Sequence, residues 1–196
     1  MRNKYILLRH GQTIYQTKKK KFLYPWPDFV TNLTEKGKKQ AEAVAKKLKN
    51  KKTVLIYSSD FLRTRQTAEI IAEKLDLKVK LDKRLRDINF GIFQGGKIDE
   101  YRKLFINKKL KFFKRPSMGE SWRDVRKRTI DFIKDIEKKH KNKTILIVSH
   151  GDPIWLLNGF LKGISEKKLL GKRQFNNTFS SVKGFYPGPG EFLEIN

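Results

Sequence analysis

The chain has 196 residues, 38% hydrophobic and 12% aromatic, and carries 46 Lys and Arg against 20 Asp and Glu, a net charge of +26. That length suits one well-buried domain over 1–196 and is too short for two ordinary ones, while the apolar content argues against charge-driven disorder. With no cysteine, a disulfide framework and a thiolate metal site are both excluded.

Lys4–Leu8 reads as a buried strand. Its run Ile6-Leu7-Leu8 is too short for a signal-peptide core or a membrane span, so a cytoplasmic location is expected. Residues 14–33 mix aromatics with lysines and suit a loop over a site. Thr34 suits an N-cap for a helix with the stripe Ala41, Val44, Ala45 and Leu48. A strand at Thr53–Tyr57 follows, then a helix that Asp60 could cap, carrying Leu62, Ile70, Ile71 and Leu75. After a strand at Val79–Leu81, residues 97–118 form a second mixed, loop-like segment. Trp122, Val125, Phe132, Ile133 and Ile136 mark a third helix, and Thr144–Ser149 a further strand. The Gly- and Pro-rich stretch Gly184–Gly190 leads to Phe192–Ile195, a late edge strand. Short apolar strands alternating with helices predict an α/β layered fold around a mainly parallel sheet.

The chemistry gathers at strand ends. The chain holds three histidines, and two share one setting: Leu8-Arg9-His10-Gly11 and Val148-Ser149-His150-Gly151 each end an apolar strand on His-Gly. Ligands of open α/β sheets bind outside the carboxyl ends of the strands, where these residues would meet. A glycine after each histidine permits a sharp turn and close approach of a ligand to backbone N–H groups. The third histidine, His140, lies among lysines and is expected to be exposed. Arg9 adjoins His10, and Arg63 and Arg65 follow another strand; one of this pair is expected on a helix surface. Arginine's planar fork suits phosphoryl oxygens and the charge that develops during phosphoryl transfer.

These pieces resemble the histidine phosphatase superfamily, also called the phosphoglycerate mutase-like family. The matching series runs in family order from residue 5 to about 155. It comprises Leu8-Arg9-His10-Gly11-Gln12-Thr13, Leu33-Thr34-Glu35-Lys36-Gly37 with Gln40-Ala41, and Ser58-Ser59 through Arg63-Thr64 to Gln66-Thr67-Ala68. It continues with Leu85–Gly91, Gln94-Gly95, Gly119-Glu120-Ser121 and Val148–Gly151. The resemblance implies a three-layer α/β/α sandwich with a mainly parallel central sheet. It also implies a phosphohydrolase that works through a phosphohistidine on His10 and acts on a small phosphorylated metabolite. Arg9, Arg63 and His150 would hold the phosphoryl oxygens, and Gln16 stands where many relatives have a phosphate-contacting Asn. Asp87 occupies the position of the general acid, often Glu in the family, with Glu120 as the reserve. An unperturbed Asp, with pKa about 3.9, is a poor donor at neutral pH, so its surroundings must raise it.

Two other readings compete. A cofactor-dependent phosphoglycerate mutase would share the histidine chemistry, but mutase-like members carry a longer insertion than the stretch Gly96 to Met118 found here. A nucleic-acid-binding protein that has lost catalysis would fit the charge. The lysines, however, lie in scattered clusters at 18–21, 46–52, 108–114, 138–143 and 167–172, without a nucleic-acid-binding signature. No specific nucleic acid and no membrane are therefore expected as partners, and oligomeric state is not legible. Gly91–Ile98 nearly spells a P-loop, but Ile98 replaces the Ser or Thr that would ligate magnesium. With no His-Glu-x-x-His motif and no dense carboxylate cluster, neither a metal nor a cofactor is expected.

Overall fold

The computed structural model describes residues 1–17, 22–105, 108–171 and 185–195. The lysine cluster at 18–21, residues 106–107 of the 97–118 segment, Lys172 and Gly184 lie outside the described residues. In chain order the elements are β1 (Lys4–Arg9), α1 (Ile14–Thr17), α2 (Glu35–Leu48), β2 (Thr53–Ser58), α3 (Leu62–Leu75) and β3 (Val79–Leu81). There follow α4 (Ile98–Lys103), α5 (Trp122–Lys139), β4 (Thr144–Ser149), α6 (Gly151–Leu161), α7 (Glu166–Gly171) and β5 (Phe192–Ile195).

Among the described residues the strands form one sheet in the order β3-β2-β4-β1-β5. β1, β2, β3 and β4 run parallel, and β5 pairs antiparallel along the edge of β1. Side chains on successive strand residues point to opposite faces, so an apolar run becomes two cores. Tyr5, Leu7, Tyr57, Ile145 and Ile147 pack on one face against Phe132, Ile133 and Ile136 of α5 and Ile154 and Leu157 of α6. Ile6, Leu8, Ile56, Leu146 and Val148 pack on the other against Ala41, Val44 and Leu48 of α2 and Ala68, Ile71 and Ala72 of α3. The result is the expected three-layer α/β/α sandwich. Among the described residues, no helix is long and apolar enough to cross a membrane.

Thr34 caps α2 as expected, its hydroxyl accepting from the Gly37 amide at 3.1 Å. Asp60 does not cap α3. Phe61 takes the N-cap position without a side-chain bond, because the Asp60 carboxylate is held by both Nε and Nη2 of Arg86. A bidentate charged pair outcompetes a single cap bond. The buried face of α3 also differs from the apolar stripe. It is Arg63, Thr64, Thr67, Ala68, Ile71 and Ala72, while Leu62, Ile70 and Leu75 are half-buried. His140 departs from expectation too: it is half-buried at the end of α5, with Nε2 3.1 Å from the Tyr57 hydroxyl. Arg63 is fully buried and Arg65 is exposed beside Glu69.

The segments 14–33 and 97–118 meet. Leu23 donates its amide to the Gly96 carbonyl at 2.9 Å, and Gly95 donates to the Tyr24 carbonyl at 3.2 Å. Leu23 packs with Ile98, Tyr101 and Phe105 in a separate small core. The loop after β1 is fixed from α2 and α3. Gln12 donates its amide to Gln40 and accepts from the Thr34 amide, and Gly11 donates its amide to the Thr67 hydroxyl. Neither Gly11 nor Gly151 has a left-handed backbone. What each needs is close approach: a Cβ on Gly11 would strike the Gly37 carbonyl, and one on Gly151 the Tyr186 hydroxyl.

The same contact seen from α2 gives a test, since a Cβ on Gly37 would strike the Gln12 carbonyl. Gly37→Ala should cost about 1–3 kcal/mol of stability, the usual range for overpacking a rigid contact. Lys46→Ala, exposed on the same helix, should stay within about 0.5 kcal/mol. Denaturant titration of both variants measures the difference, and equal stabilities would contradict the close packing.

Candidate active site

The parallel register of β1 and β4 sets Arg9 opposite Ser149, so the residues that follow, His10 and His150, leave the sheet side by side. The His10 amide donates to the Ser149 carbonyl at 3.0 Å, and the two rings lie 5.4 Å apart between centroids. His150 is also the N-cap of α6, so that helix begins at the site with the amide-rich end that favours anions. β2 ends at Ser58, and the next residue, Ser59, places its hydroxyl 3.0 Å from His150 Nε2.

His10 is buried, and its Nδ1 lies 2.8 Å from the Gly11 carbonyl. A carbonyl can only accept, so Nδ1 carries the proton and Nε2 is left with its lone pair. Burial pushes the His10 pKa well below the ordinary imidazole value, and the Arg63 and Arg9 charges push it further. The ring is therefore neutral at physiological pH, with one tautomer enforced. His150 is lowered in the same way, by burial first and then by Arg63, His10, Arg128 and Arg9.

Arg63 lies between two carboxylates. Nη1 pairs with Asp28, which is itself fully buried, and Nη2 is 3.3 Å from Asp87 Oδ2. Its guanidinium lies over the Tyr24 ring, 4.0 Å from the centroid. The same Asp87 oxygen is 3.7 Å from His150 Nδ1. Burial raises the Asp87 pKa; Arg63 opposes this, and nearby Asp152 adds to it. The shift is in the direction that an aspartic acid donor requires. Arg9 Nη1 donates to the Pro187 carbonyl at 3.2 Å. Among the described residues, Arg9 Nε, Arg63 Nε and His150 Nδ1 are buried without a hydrogen-bond partner. Arg9 Nε and Arg63 Nε are donors that a phosphoryl group could satisfy, and His150 Nδ1 is a third in the tautomer that carries its proton there.

A cleft opens over this floor. Arg9, His10, Asp87, Gly151 and Asp152 line its base, with Phe22, Leu23, Tyr24 and Tyr186 beside them. Phe90, Ile98, Tyr101, Arg102 and Lys111 complete the walls. Arg63 and His150 are not in the lining but contact residues that are: Arg63 touches Asp87 and Tyr24, and His150 lies beside Asp87 and His10. Gln16 is turned away: its Oε1 accepts from the Thr13 amide and hydroxyl at 2.7 and 2.8 Å, and its Nε2 donates to the Tyr24 hydroxyl. Glu120 lies outside the cleft lining, paired with Arg128 at 2.8 Å.

Sequence reasoning missed Asp28, Ser59, Asp152 and Tyr186 as parts of the site. Asp152 could have been suspected from its place two residues after His150. Asp28 gave no signal in an aperiodic segment. The near-P-loop at Gly91–Ile98 spends its amides on the protein: Gly91 on Asn89 Oδ1, Gly95 on Tyr24 and Gly96 on Phe93. Among the described residues, no group of three or more His, Asp or Glu side chains is arranged to hold a metal ion.

The strand ends bring Arg9, His10 and His150 together, and Arg63 of α3 is buried beside them, a set of side chains suited to phosphoryl chemistry. The chain belongs to the histidine phosphatase superfamily (branch 1), whose profile matches residues 5–196. It is 31% identical over 184 residues to phosphoserine phosphatase 1 of Hydrogenobacter thermophilus, covering 91% of this chain and 85% of that one. It is 30% identical to the 2,3-bisphosphoglycerate-dependent phosphoglycerate mutase of Bartonella henselae, covering 84% of each chain. Among solved structures, the Entamoeba histolytica phosphoserine phosphatase in complex with 3-phosphoglyceric acid superposes with a TM-score of 0.72 at 31% identity. That match covers 90% of this chain and 87% of the other.

The depressed histidines link stability to pH. Below about pH 6.5 an unfolded chain takes up protons on His10 and His150 that the native fold refuses, so stability is lost as pH falls from there toward the lowered native values. Each histidine contributes a slope of up to about 1.4 kcal/mol per pH unit. The raised Asp87 works in the opposite sense, favouring the fold at low pH. Urea unfolding between pH 7.5 and 5 should show the decline, and His150→Asn should make it shallower. An unchanged slope in that variant would contradict a neutral His150.

Proposed function

We propose that the chain is a phosphohydrolase that removes phosphate from a small phosphorylated metabolite through a phosphohistidine on His10. The observation that carries this reading is the enforced tautomer of His10, with Nε2 unprotonated, beside Arg9 and within the reach of Arg63 and His150. Nε2 attacks phosphorus while the bond to the leaving oxygen breaks and that oxygen takes a proton from Asp87. Water then attacks the phosphohistidine and gives its proton to the Asp87 carboxylate. The P–N bond breaks, and inorganic phosphate leaves with His10 neutral again.

Arg9, Arg63 and His150 hold the phosphoryl oxygens in this scheme. In the free site the Asp87 carboxylate already occupies Arg63 Nη2 and faces His150 Nδ1. An entering phosphate dianion would take over those donors and set a like charge beside Asp87, which favours its protonated form. Substrate binding thus loads the acid. Asp87 is preferred to Glu120 because it lines the cleft, while both oxygens of Glu120 are engaged by Arg128 and by the Asn89 amide. Gln16 contacts phosphate in this scheme only after its amide turns from Thr13 and Tyr24.

Residues 14–33 and 97–118 cover the substrate, since Phe22, Leu23, Tyr24, Ile98, Tyr101, Arg102 and Lys111 line the cleft. The reaction uses no metal, its charge stabilisation coming from the arginines and from the amide end of α6. The net charge of +26 serves encounter with the anionic substrate and marks no specific nucleic-acid function.

His10→Ala should lower turnover by several orders of magnitude, and rapid quench of the wild type should trap an acid-labile, base-stable phosphoenzyme. Run in excess chelator, the wild type should keep its rate; raised salt should lower kcat/KM and spare kcat. Near-wild-type turnover in His10→Ala would sink the assignment.

Asp87 is tested by leaving group. Asp87→Asn should slow alkyl phosphates by about 100-fold or more and activated aryl phosphates far less, since the latter leave without a proton. In the wild type, kcat/KM for alkyl substrates should fall on the alkaline side as Asp87 ionises. The acid limb should lie well below pH 6.5, where His10 finally protonates. Persistence of the alkaline fall in Asp87→Asn would assign it to another group.

A further inference from the structure

Asp87 stands in a stretch, residues 87–90, with no regular secondary structure, so no backbone ladder fixes where its carboxyl points. The placement comes from α5. Arg128 Nη1 donates to the carbonyls of Arg84 at 2.7 Å and Arg86 at 2.8 Å, and Nη2 donates to the carbonyl of Asp87 itself at 2.8 Å. The same guanidinium makes a two-point pair with Glu120, Nε to Oε1 at 2.8 Å and Nη2 to Oε2 at 3.0 Å. Glu120 Oε2 then accepts from the Asn89 amide at 3.0 Å, and the Glu120 amide donates to the Asn89 carbonyl at 2.8 Å.

Arg128 and Glu120 therefore hold backbone groups around Asp87: the carbonyls of residues 84 and 86 before it, its own carbonyl, and both backbone groups of Asn89 after it. Both side chains are mostly buried, at 18% and 23% exposure, so solvent screens this pair little. Both sit on a rigid base. Glu120 directly precedes the Ser121 N-cap of α5, which is closed by a capping box with Asp124, and Arg128 lies on the same helix. The guanidinium fork suits this task because its donors diverge in one plane at fixed angles.

We propose that Arg128, paired with Glu120, is the positioning unit for the general acid, holding the Asp87 backbone so that the carboxyl meets the leaving oxygen. This rests on the assignment of Asp87 as the acid. It also gives the Gly-Glu-Ser motif a role distinct from proton transfer. An error of about 1 Å in placing a reacting group can cost on the order of 100-fold in rate. Loosening this bracket should therefore act on acid catalysis more than on binding.

The test compares an alkyl phosphate with p-nitrophenyl phosphate in Arg128→Lys, Glu120→Gln, Asp87→Asn and each of the first two combined with Asp87→Asn. Glu120→Gln keeps the volume and one carbonyl oxygen of the carboxylate, so it gives a folded variant should Arg128→Lys fail to fold. Each single variant should lower kcat for the alkyl substrate by about 10-fold or more while p-nitrophenyl phosphate loses less than about 3-fold, with KM for both within about 2-fold. Added to Asp87→Asn, either change should cost less than about 3-fold more, because a residue that acts through Asp87 has nothing left to position. Equal losses on the two substrates, or full additivity with Asp87→Asn, would overturn the proposal while leaving Asp87 as the acid. If Asp87→Asn itself lacks leaving-group dependence, the acid assignment falls and the proposal falls with it.

Discussion

The parallel pairing of β1 with β4 is the constraint from which the site follows. Arg9 and Ser149 are register partners, so each strand delivers its histidine at the same height beyond the sheet. A shift of one residue would move one histidine by about 3.3 Å and turn its side chain to the opposite face. Register is in turn held by burial on both faces, where Tyr5, Leu7, Ile145 and Ile147 serve one core and Ile6, Leu8, Leu146 and Val148 the other. The hydrophobic effect thus fixes the separation of two neutral imidazoles. Because they are buried, their neutrality comes from the same packing.

Arg63 raises a second requirement. A guanidinium with no solvent contact must be paired, and Asp28 pairs it from beneath while Tyr24 lies against its face. Asp28 also binds the chain together: its carboxylate accepts from the Thr31 amide at 3.0 Å, and its carbonyl accepts from the Leu62 amide at the start of α3. The 14–33 segment is thereby attached to the helix that carries Arg63. With one side of the guanidinium committed to Asp28, the other side, toward Asp87 and His150, is left for exchangeable partners. A carboxylate in the free enzyme and a phosphoryl group in the complex can use the same donor.

Much of the fold was legible because the central strands β1, β2 and β4, buried on both faces, are written as short apolar runs, and every predicted strand is present within a residue or two. The histidines were legible because each ends such a run. Asp60 misled because its cap role was read locally, while its partner Arg86 lies 26 residues away. The face of α3 misled because hydrophobic periodicity cannot register a face whose buried positions include Arg63, Thr64 and Thr67. Asp28 and Arg128 were illegible for one shared reason: each acts through a contact between segments distant in sequence, and nothing in its immediate neighbours encodes that contact. Arg128 in particular sits in a helix dense with Lys and Arg, where composition cannot separate a positioning guanidinium from a solvated one.

The proposed role of Asp87 as the general acid bears on that guanidinium. A glutamic acid has an extra rotatable bond and a longer reach, and can correct a small error in its backbone by rotation. Asp87 has a shorter arm. Its carboxyl is held within one residue of the chain, with Oδ1 accepting from the neighbouring Ile88 amide at 3.0 Å. The position of its oxygens is therefore set almost wholly by the position of its backbone. The carbonyls of residues 84, 86 and 87 gathered by Arg128, and Asn89 held by Glu120 after it, supply that position from α5 and the residue before its N-cap. A shorter acid makes a more exact backbone necessary, and in this chain the two occur together.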